Sequence, residues 1–305
     1  MSAHSSGDGR TLAVVGHGFI GSRVTRAALA AGWKVRSLSR RPGRRPAAAG
    51  HEVLVGDARH GEALLELLSG ADHVVFAAGT TRPADSNDHP AHEISANEGP
   101  LLATLEAMPR AGTTGITLVS SGGTVYGPDA PTPTPETAPL WPITAYGVVR
   151  VASERYVQLS ARQHGLTADI LRVANVYGPG EPTSGSQGLI GVTRAALRAG
   201  RPVVVYGDGS HRRDFVHVDD VATVVVTLAG RPDGVRVLNV GSGESVTVLE
   251  AIDAVARSLG TRPTVDHRPA RPTDAPAVQL DLSALRAVVD FRPRSLEEGL
   301  ADHAV

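Results

Sequence analysis

The chain has 305 residues, 41% of them apolar and 20% charged, enough to bury a full core as one large domain or two modest ones. Thirty Lys and Arg stand against thirty-one Asp and Glu, a formal net charge of −1, which excludes a general polyanion binder for nucleic acid or an anionic membrane surface. With no cysteine, disulfides, thiolate metal sites and cysteine nucleophiles are excluded, and the twelve scattered histidines, His89 and His92 being the closest pair, predict no metal site.

In chain order, the polar residues 1–9 predict a disordered tail, and the lack of any apolar run of about 18 residues predicts a soluble cytoplasmic protein. Short apolar runs at 11–15, 34–38, 52–55, 73–77, 115–120 and 168–173 read as strands covered on both faces. They alternate with helices at 21–31, 61–68, 97–108 and 145–164, so the predicted fold is α/β, a Rossmann-type doubly wound parallel sheet. The last of these helices carries Val149, Ala152, Tyr156 and Leu159 along what reads as its buried face. Residues 128–142, PDAPTPTPETAPLWP, read as a long surface loop beside a site.

Beyond residue 175 the texture turns Gly/Pro-rich, with a helix near 189–199, a strand at 203–206 and a helix opening near 218. Residues 239–243, a helix near 248–259 and a last helix at 296–301 complete the chain. The predicted division is a dinucleotide-binding domain over 10–175 with part of 212–242, and a smaller C-terminal substrate-binding lobe over 176–211 and 243–305.

The first strand runs into Gly16-His17-Gly18-Phe19-Ile20-Gly21, a G-x-G-x-x-G between a strand and a helix. Lacking Cβ atoms, Gly16 and Gly18 let a pyrophosphate approach the backbone, and Gly21 lets helix and strand pack closely. The second strand ends Ser39-Arg40-Arg41 with no carboxylate to bind a ribose 2′-hydroxyl. The arginine forks suit a 2′-phosphate, so NADP(H) is the preferred cofactor, NAD being possible; the alternative is that Arg40, Arg41, Arg44 and Arg45 form a solvated basic loop. Asp57, after the third strand, could accept from an adenine amino group or cap the helix that follows. Tyr146 and Arg150 are four apart, on one helical face.

The ordered set of GHGFIGS at 16–22, GDAR at 56–59, VVFAAG at 74–79, ISANEG at 94–99, LVSSGGTVYG at 118–127, AYGVVR at 145–150, LRVANVYGPG at 171–180, VYGDGSHRRDFVHVDDVA at 205–222, NVGSG at 239–243 and RPTDAP at 271–276 resembles the extended short-chain dehydrogenase/reductase superfamily. Within it, the chain resembles the NAD-dependent epimerase/dehydratase branch acting on nucleotide sugars. The resemblance implies that Gly16, Gly18, Phe19, Ile20 and Gly21 hold the pyrophosphate and that Asp57 and Ala58 receive the adenine. It further implies that Ala77, Ala78 and Asn97 line the dinucleotide channel and that Tyr146 is the acid/base, while Asn175, Arg213 and Arg271 meet the nucleotide-diphospho-sugar.

Three departures stand out: the first fingerprint glycine falls on Val15, the usual catalytic Ser or Thr position is Gly122, and the usual lysine is Arg150, Lys34 being the sole lysine. Ser121 or Thr124 is then the candidate hydroxyl, and Arg150 the group that holds the nicotinamide ribose. The expected reaction is NADPH-dependent reduction of a keto group, at C4, of a nucleotide-diphospho-deoxysugar. The alternatives are an NAD-dependent nucleotide-sugar 4-epimerase and a non-catalytic NADP(H)-binding protein. The resemblance also implies a homodimer built on helices 97–108 and 145–164, with Ala103, Ala107, Ala152 and Ala161 allowing close approach.

Overall fold

The computed structural model describes residues 9–40, 48–79, 86–183, 188–231 and 233–302. The tail over 1–8 and the predicted site residue Arg41, with Arg44 and Arg45, lie outside the described residues.

The first half runs β1 (Thr11–Val15), α1 (Phe19–Ala30), β2 (Lys34–Ser39), β3 (His51–Val55), α2 (Gly61–Leu68) and β4 (His73–Phe76). Then come the short helix α3 (Pro90–Glu93), a π-helical turn (Ile94–Glu98), α4 (Gly99–Ala111), β5 (Gly115–Ser121), α5 (Ala145–His164) and β6 (Thr167–Val173). The second half begins with β7 (Asn175–Tyr177), α6 (Leu189–Arg198), β8 (Val203–Tyr206), β9 (Arg212–Arg213), β10 (Phe215–His217) and α7 (Val218–Leu228). It closes with β11 (Val235–Val240), β12 (Val246–Thr247), α8 (Val248–Ser258), β13 (Val265–Arg268), α9 (Ser283–Val288) and α10 (Leu296–Ala301).

Seven strands form one parallel sheet in the order β3-β2-β1-β4-β5-β6-β11. Alternation within each strand feeds two cores. Leu12 and Val14 pack with Val24 and Ala28 of α1 and Val221 of α7, while Ala13 and Val15 pack with Leu64 of α2 and Leu101 of α4. Strand order reverses between β1 and β4, which opens the crevice at the carboxyl ends where such sheets bind ligands. The smaller lobe carries two-stranded pairs, β7 with β10, β8 with β13 and β9 with β12, packed on α6, α8 and α10 through Tyr177, Ile190, Val255 and Leu300.

The structure corrects several expectations. Strand β11 was not foreseen, because Arg236 and Asn239 interrupt its apolar run; Arg236 instead pairs with Asp169 of neighbouring β6 at 2.6 Å. The helix predicted from residue 97 begins at Gly99, after the π-helical turn.

The buried face of α5 agrees with the predicted one at Val149 and departs from it elsewhere: Val149 is buried with Ser153, Val157 and Ala161, whereas Tyr156 and Leu159 are 42% and 40% exposed. Ala107 and Ala161 are buried in the chain's own core and cannot face a second copy. No helix among the described residues is long and apolar enough to cross a membrane, and among them no group of three or more His, Asp or Glu could hold a metal ion.

Candidate active site

The Gly-rich turn leaves β1 at the switch point. Gly16 has φ +95°, and a Cβ there would stand 2.5 Å from the Ala78 amide nitrogen; one at Gly21 would stand 2.1 Å from the Gly16 carbonyl oxygen. Gly18, the N-cap of α1, faces open space. No side chain caps α1 and its first turn holds no acidic residue, so its leading N–H groups and the positive end of the helix dipole are left for an anion. These features fit a dinucleotide pyrophosphate.

From this turn a single cleft of about 910 Å³ extends across the carboxyl ends of β4, β5 and β6 into the smaller lobe. Gly18, Phe19, Ile20, Ala77 and Ala78 line its near end. Ser121, Thr124, Tyr146 and Arg150 line its middle, and Asn175, Arg213 and Arg271 line its far end. Gly16 and Gly21 stand behind the turn they shape.

Thr144 caps α5 by accepting from the Gly147 amide at 3.1 Å, which sets Tyr146 in the first helical turn. A Cβ at Gly147 would stand 2.6 Å from the Thr124 carbonyl oxygen, so this glycine brings the start of α5 against the Thr124 segment. The Arg150 guanidinium carbon lies 4.8 Å from the centroid of the Tyr146 ring. Arg150 is 4% exposed, and its Nε has no hydrogen-bond partner among the described residues. Asn97, behind Gly79, donates to Glu93 at 3.0 Å.

Gly122 does not reach the cleft. A Cβ there would stand 2.6 Å from Leu280 and 2.9 Å from the Arg172 carbonyl oxygen, so a hydroxyl side chain at this position requires displacement of its neighbours. Thr124 Oγ1, by contrast, is buried at the cleft wall without a hydrogen-bond partner among the described residues. An unpaired buried hydroxyl is costly, and a substrate oxygen would satisfy it.

In the smaller lobe Arg213 donates to the Ala275 carbonyl at 2.7 Å and lies 3.7 Å from Asp274. Burial holds its pKa below the ordinary arginine value, while Asp274 acts in the opposite direction. Arg271 lies 3.4 Å over the Tyr206 ring, and Asn175 donates to the Asp214 carbonyl at 3.2 Å.

Other predicted residues lie outside the cleft lining. Ser39 and Arg40 sit at the end of β2, with Arg40 exposed. Ala58 packs on the α2 side of the core. Asp57 is not a helix cap, since α2 is preceded by His60 at that position. Its carboxylate pairs with Arg59 at 2.6 Å, and that hydrogen bond holds it down to about 2.

Sequence reasoning missed Tyr206, Glu98 and Glu181. Tyr206 lies within the 205–222 segment, where the resemblance assigns it no role, and Glu181 directly follows Gly178-Pro179-Gly180. The buried Glu181 carboxyl lines the cleft, its Oε2 lacking a partner among the described residues. Burial pushes its pKa up to about 7, opposed by the Gly191 and Gly178 backbone and by Arg194.

Folding therefore favours the protonated Glu181, and the resulting stability is complete below the ordinary value of 4.5 and is lost as pH rises through about 7. Relative to Glu181→Gln, the wild type is expected to lose up to about 3 kcal/mol across that window. Denaturant titrations at several pH values check this, and parallel curves for the two proteins refute it.

Comparison with known proteins places this geometry among relatives. The model of the NAD dependent epimerase/dehydratase family matches residues 12–241. The chain is 34% identical to a UDP-glucose 4-epimerase of Mycolicibacterium smegmatis, over 71% of this chain and 69% of that protein. It is 28% identical to a dTDP-4-dehydro-6-deoxyglucose reductase of Escherichia coli, over 61% of this chain and 58% of that one. The crystal structure of the Thermus thermophilus UDP-glucose 4-epimerase in complex with NAD superposes with a TM-score of 0.88, at 30% identity and covering 97% of each chain.

Proposed function

Because the chain belongs to the NAD dependent epimerase/dehydratase family, as an NAD(P)-dependent enzyme acting on nucleotide sugars, we propose that it is a nucleotide-sugar 4-epimerase. The observation that carries this reading is that one cleft joins the phosphate-binding turn, the Tyr146 phenol and the Arg213–Arg271 end. The epimerase relatives support it more than the shorter match to the reductase.

Gly18, Phe19, Ile20, Ala77 and Ala78, which line the near end of the cleft, would hold the dinucleotide. A bound nicotinamide would supply reversible hydride-transfer chemistry at sugar carbon 4. Tyr146 Oη receives the proton of the carbon-4 hydroxyl and gives it back. Thr124 Oγ1 donates to the same sugar oxygen, and Arg150 places positive charge beside the phenol. Arg213 and Arg271 hold the diphosphate by charge-assisted hydrogen bonds, so that the sugar ring can turn while its anchor stays fixed.

Incubation with UDP-glucose or UDP-galactose, followed by chromatography, tests the reading. Interconversion without net consumption of dinucleotide is expected, and no interconversion of these or any other 4-epimeric pair overturns it.

A second reading, NADPH-dependent reduction of a 4-keto sugar nucleotide, is favoured by the Ser39-Arg40 end of β2, which offers no carboxylate to a ribose. Under it, Arg40→Ala combined with Arg41→Ala weakens NADPH relative to NADH by about 1–3 kcal/mol. Fluorescence titration measures the ratio, and an unchanged value contradicts NADP(H) preference.

The outer face of α5 supports a dimer of this chain. Val148, Tyr156 and Leu159 are exposed along it, with Ala152 half-buried between them. Leu159→Glu is expected to convert a dimer to a monomer in sedimentation; an unchanged mass places any contact elsewhere.

A further inference from the structure

The π-helical turn Ile94–Glu98 is flanked by two buried acidic side chains, Glu93 at the end of α3 and Glu98 as its own last residue, directly before α4. Such turns are rare and occur frequently at functional sites. Glu98 is 6% exposed. Its Oε2 accepts from Ser153 Oγ at 2.6 Å, and its Oε1 has no hydrogen-bond partner among the described residues. Ser153 lies one helical turn beyond Arg150, on the same buried side of α5. Arg150 in turn has an unpaired Nε and packs on the Tyr146 ring and against Gly79, where a Cβ would stand 2.8 Å from its terminal nitrogen.

A guanidinium buried this deeply is costly without a counter-charge. None of the ion pairs among the described residues includes Arg150. Burial raises the Glu98 pKa, opposed first by the Ser153 hydrogen bond and then by the Arg150 charge, neither of which cancels it. The groups facing Glu98 from α5 are Ser153 and Arg150; on its own segment, neighbouring Asn97 is engaged with Glu93.

We propose that Glu98 is the positioning residue for Arg150: its buried carboxylate, anchored by Ser153, is the counter-charge that makes an arginine workable beside Tyr146 and fixes the guanidinium against the phenol ring. Arginine at position 150 is thus one half of a pair with Glu98 rather than an isolated exchange of one cation for another. The inference deepens the proposed function, since Glu98 acts on the reaction only through Arg150.

A double-mutant cycle tests it, with thermal stability read separately from turnover. Glu98→Gln keeps an acceptor for Ser153 and removes the charge. Glu98→Gln and Arg150→Met are each expected to lower the melting temperature, while the double variant melts well above the sum of the two losses. In turnover, Glu98→Gln is expected to lower kcat at least tenfold with KM for the sugar nucleotide within twofold, and to displace the pH profile of kcat. Ser153→Ala should lower kcat by a smaller factor.

Additive melting losses overturn the pairing whatever the enzyme's substrate proves to be. An unchanged kcat and pH profile in Glu98→Gln, in a preparation whose wild type turns over, overturns the positioning role. If Glu98→Gln does not fold, the double variant is expected to restore folding, and its failure to do so overturns the proposal.

Discussion

Tyr146→Phe is expected to lower kcat by about 10²- to 10⁴-fold, the range associated with a positioned proton-transfer group. Dinucleotide binding should remain nearly intact. The substitution removes one oxygen and leaves the ring under the Arg150 guanidinium, which packs at 4.8 Å on its face rather than on its hydroxyl. The Thr144 cap and the Gly147 contact with the Thr124 segment do not involve the phenol oxygen, so the start of α5 keeps its place. Single-turnover kinetics together with dinucleotide titration separate the two effects. Retained turnover would remove Tyr146 from the chemistry, and lost dinucleotide affinity would show that the phenol serves binding instead.

Arg172→Met carries the largest expected loss of stability. Arg172 of β6 binds Glu154 of α5 through Nη2 at 2.7 Å and Nε at 3.1 Å, and the two side chains are 5% and 1% exposed. Its Nη1 donates to Tyr126 Oη and to the Glu136 carbonyl, and Ser120 Oγ donates to Glu154 at 2.6 Å. Tyr126 Oη in turn donates a hydrogen bond to Asn239 Oδ1, and burial pushes this phenol up to about 12.

One guanidinium thus ties β5, β6, α5, β11 and the loop through Glu136 together beneath Ser120, which lines the cleft. Removing it strands a carboxylate in the core at a cost of about 3–5 kcal/mol. Denaturant unfolding measures this, and a loss under about 1 kcal/mol would refute the stranding of a charge in the core. The double variant Arg172→Met with Glu154→Leu should recover part of the loss, because it leaves no uncompensated charge.

This network also shows why the loop over residues 128–142 is more than a surface excursion. Thr134 donates its amide to Gln279 and receives Asn239 Nδ2 on its carbonyl, and Glu136 Oε1 accepts from the Asn239 amide. The Pro-rich composition announced an irregular segment beside the site. It carried no sign of these partners, which lie more than a hundred residues away in the chain.

The sequence by itself determined the α/β alternation, the Gly16–Gly21 turn, and the pairing of Tyr146 with Arg150 on one helical face. Each of these depends on spacing within a few residues, where backbone geometry and side-chain period leave little freedom. Tertiary structure alone decided that Gly122 is closed by Leu280 and the Arg172 carbonyl, that Thr124 carries a buried hydroxyl with no partner among the described residues, that Arg271 lies on Tyr206, and that Glu98 is bound by Ser153, one helical turn from Arg150. It also turned Tyr156 and Leu159 outward, although their spacing on α5 suits a buried stripe. The reason is physical: burial and charge pairing belong to contacts between elements remote in the chain, and local periodicity says only that a face exists, not what covers it.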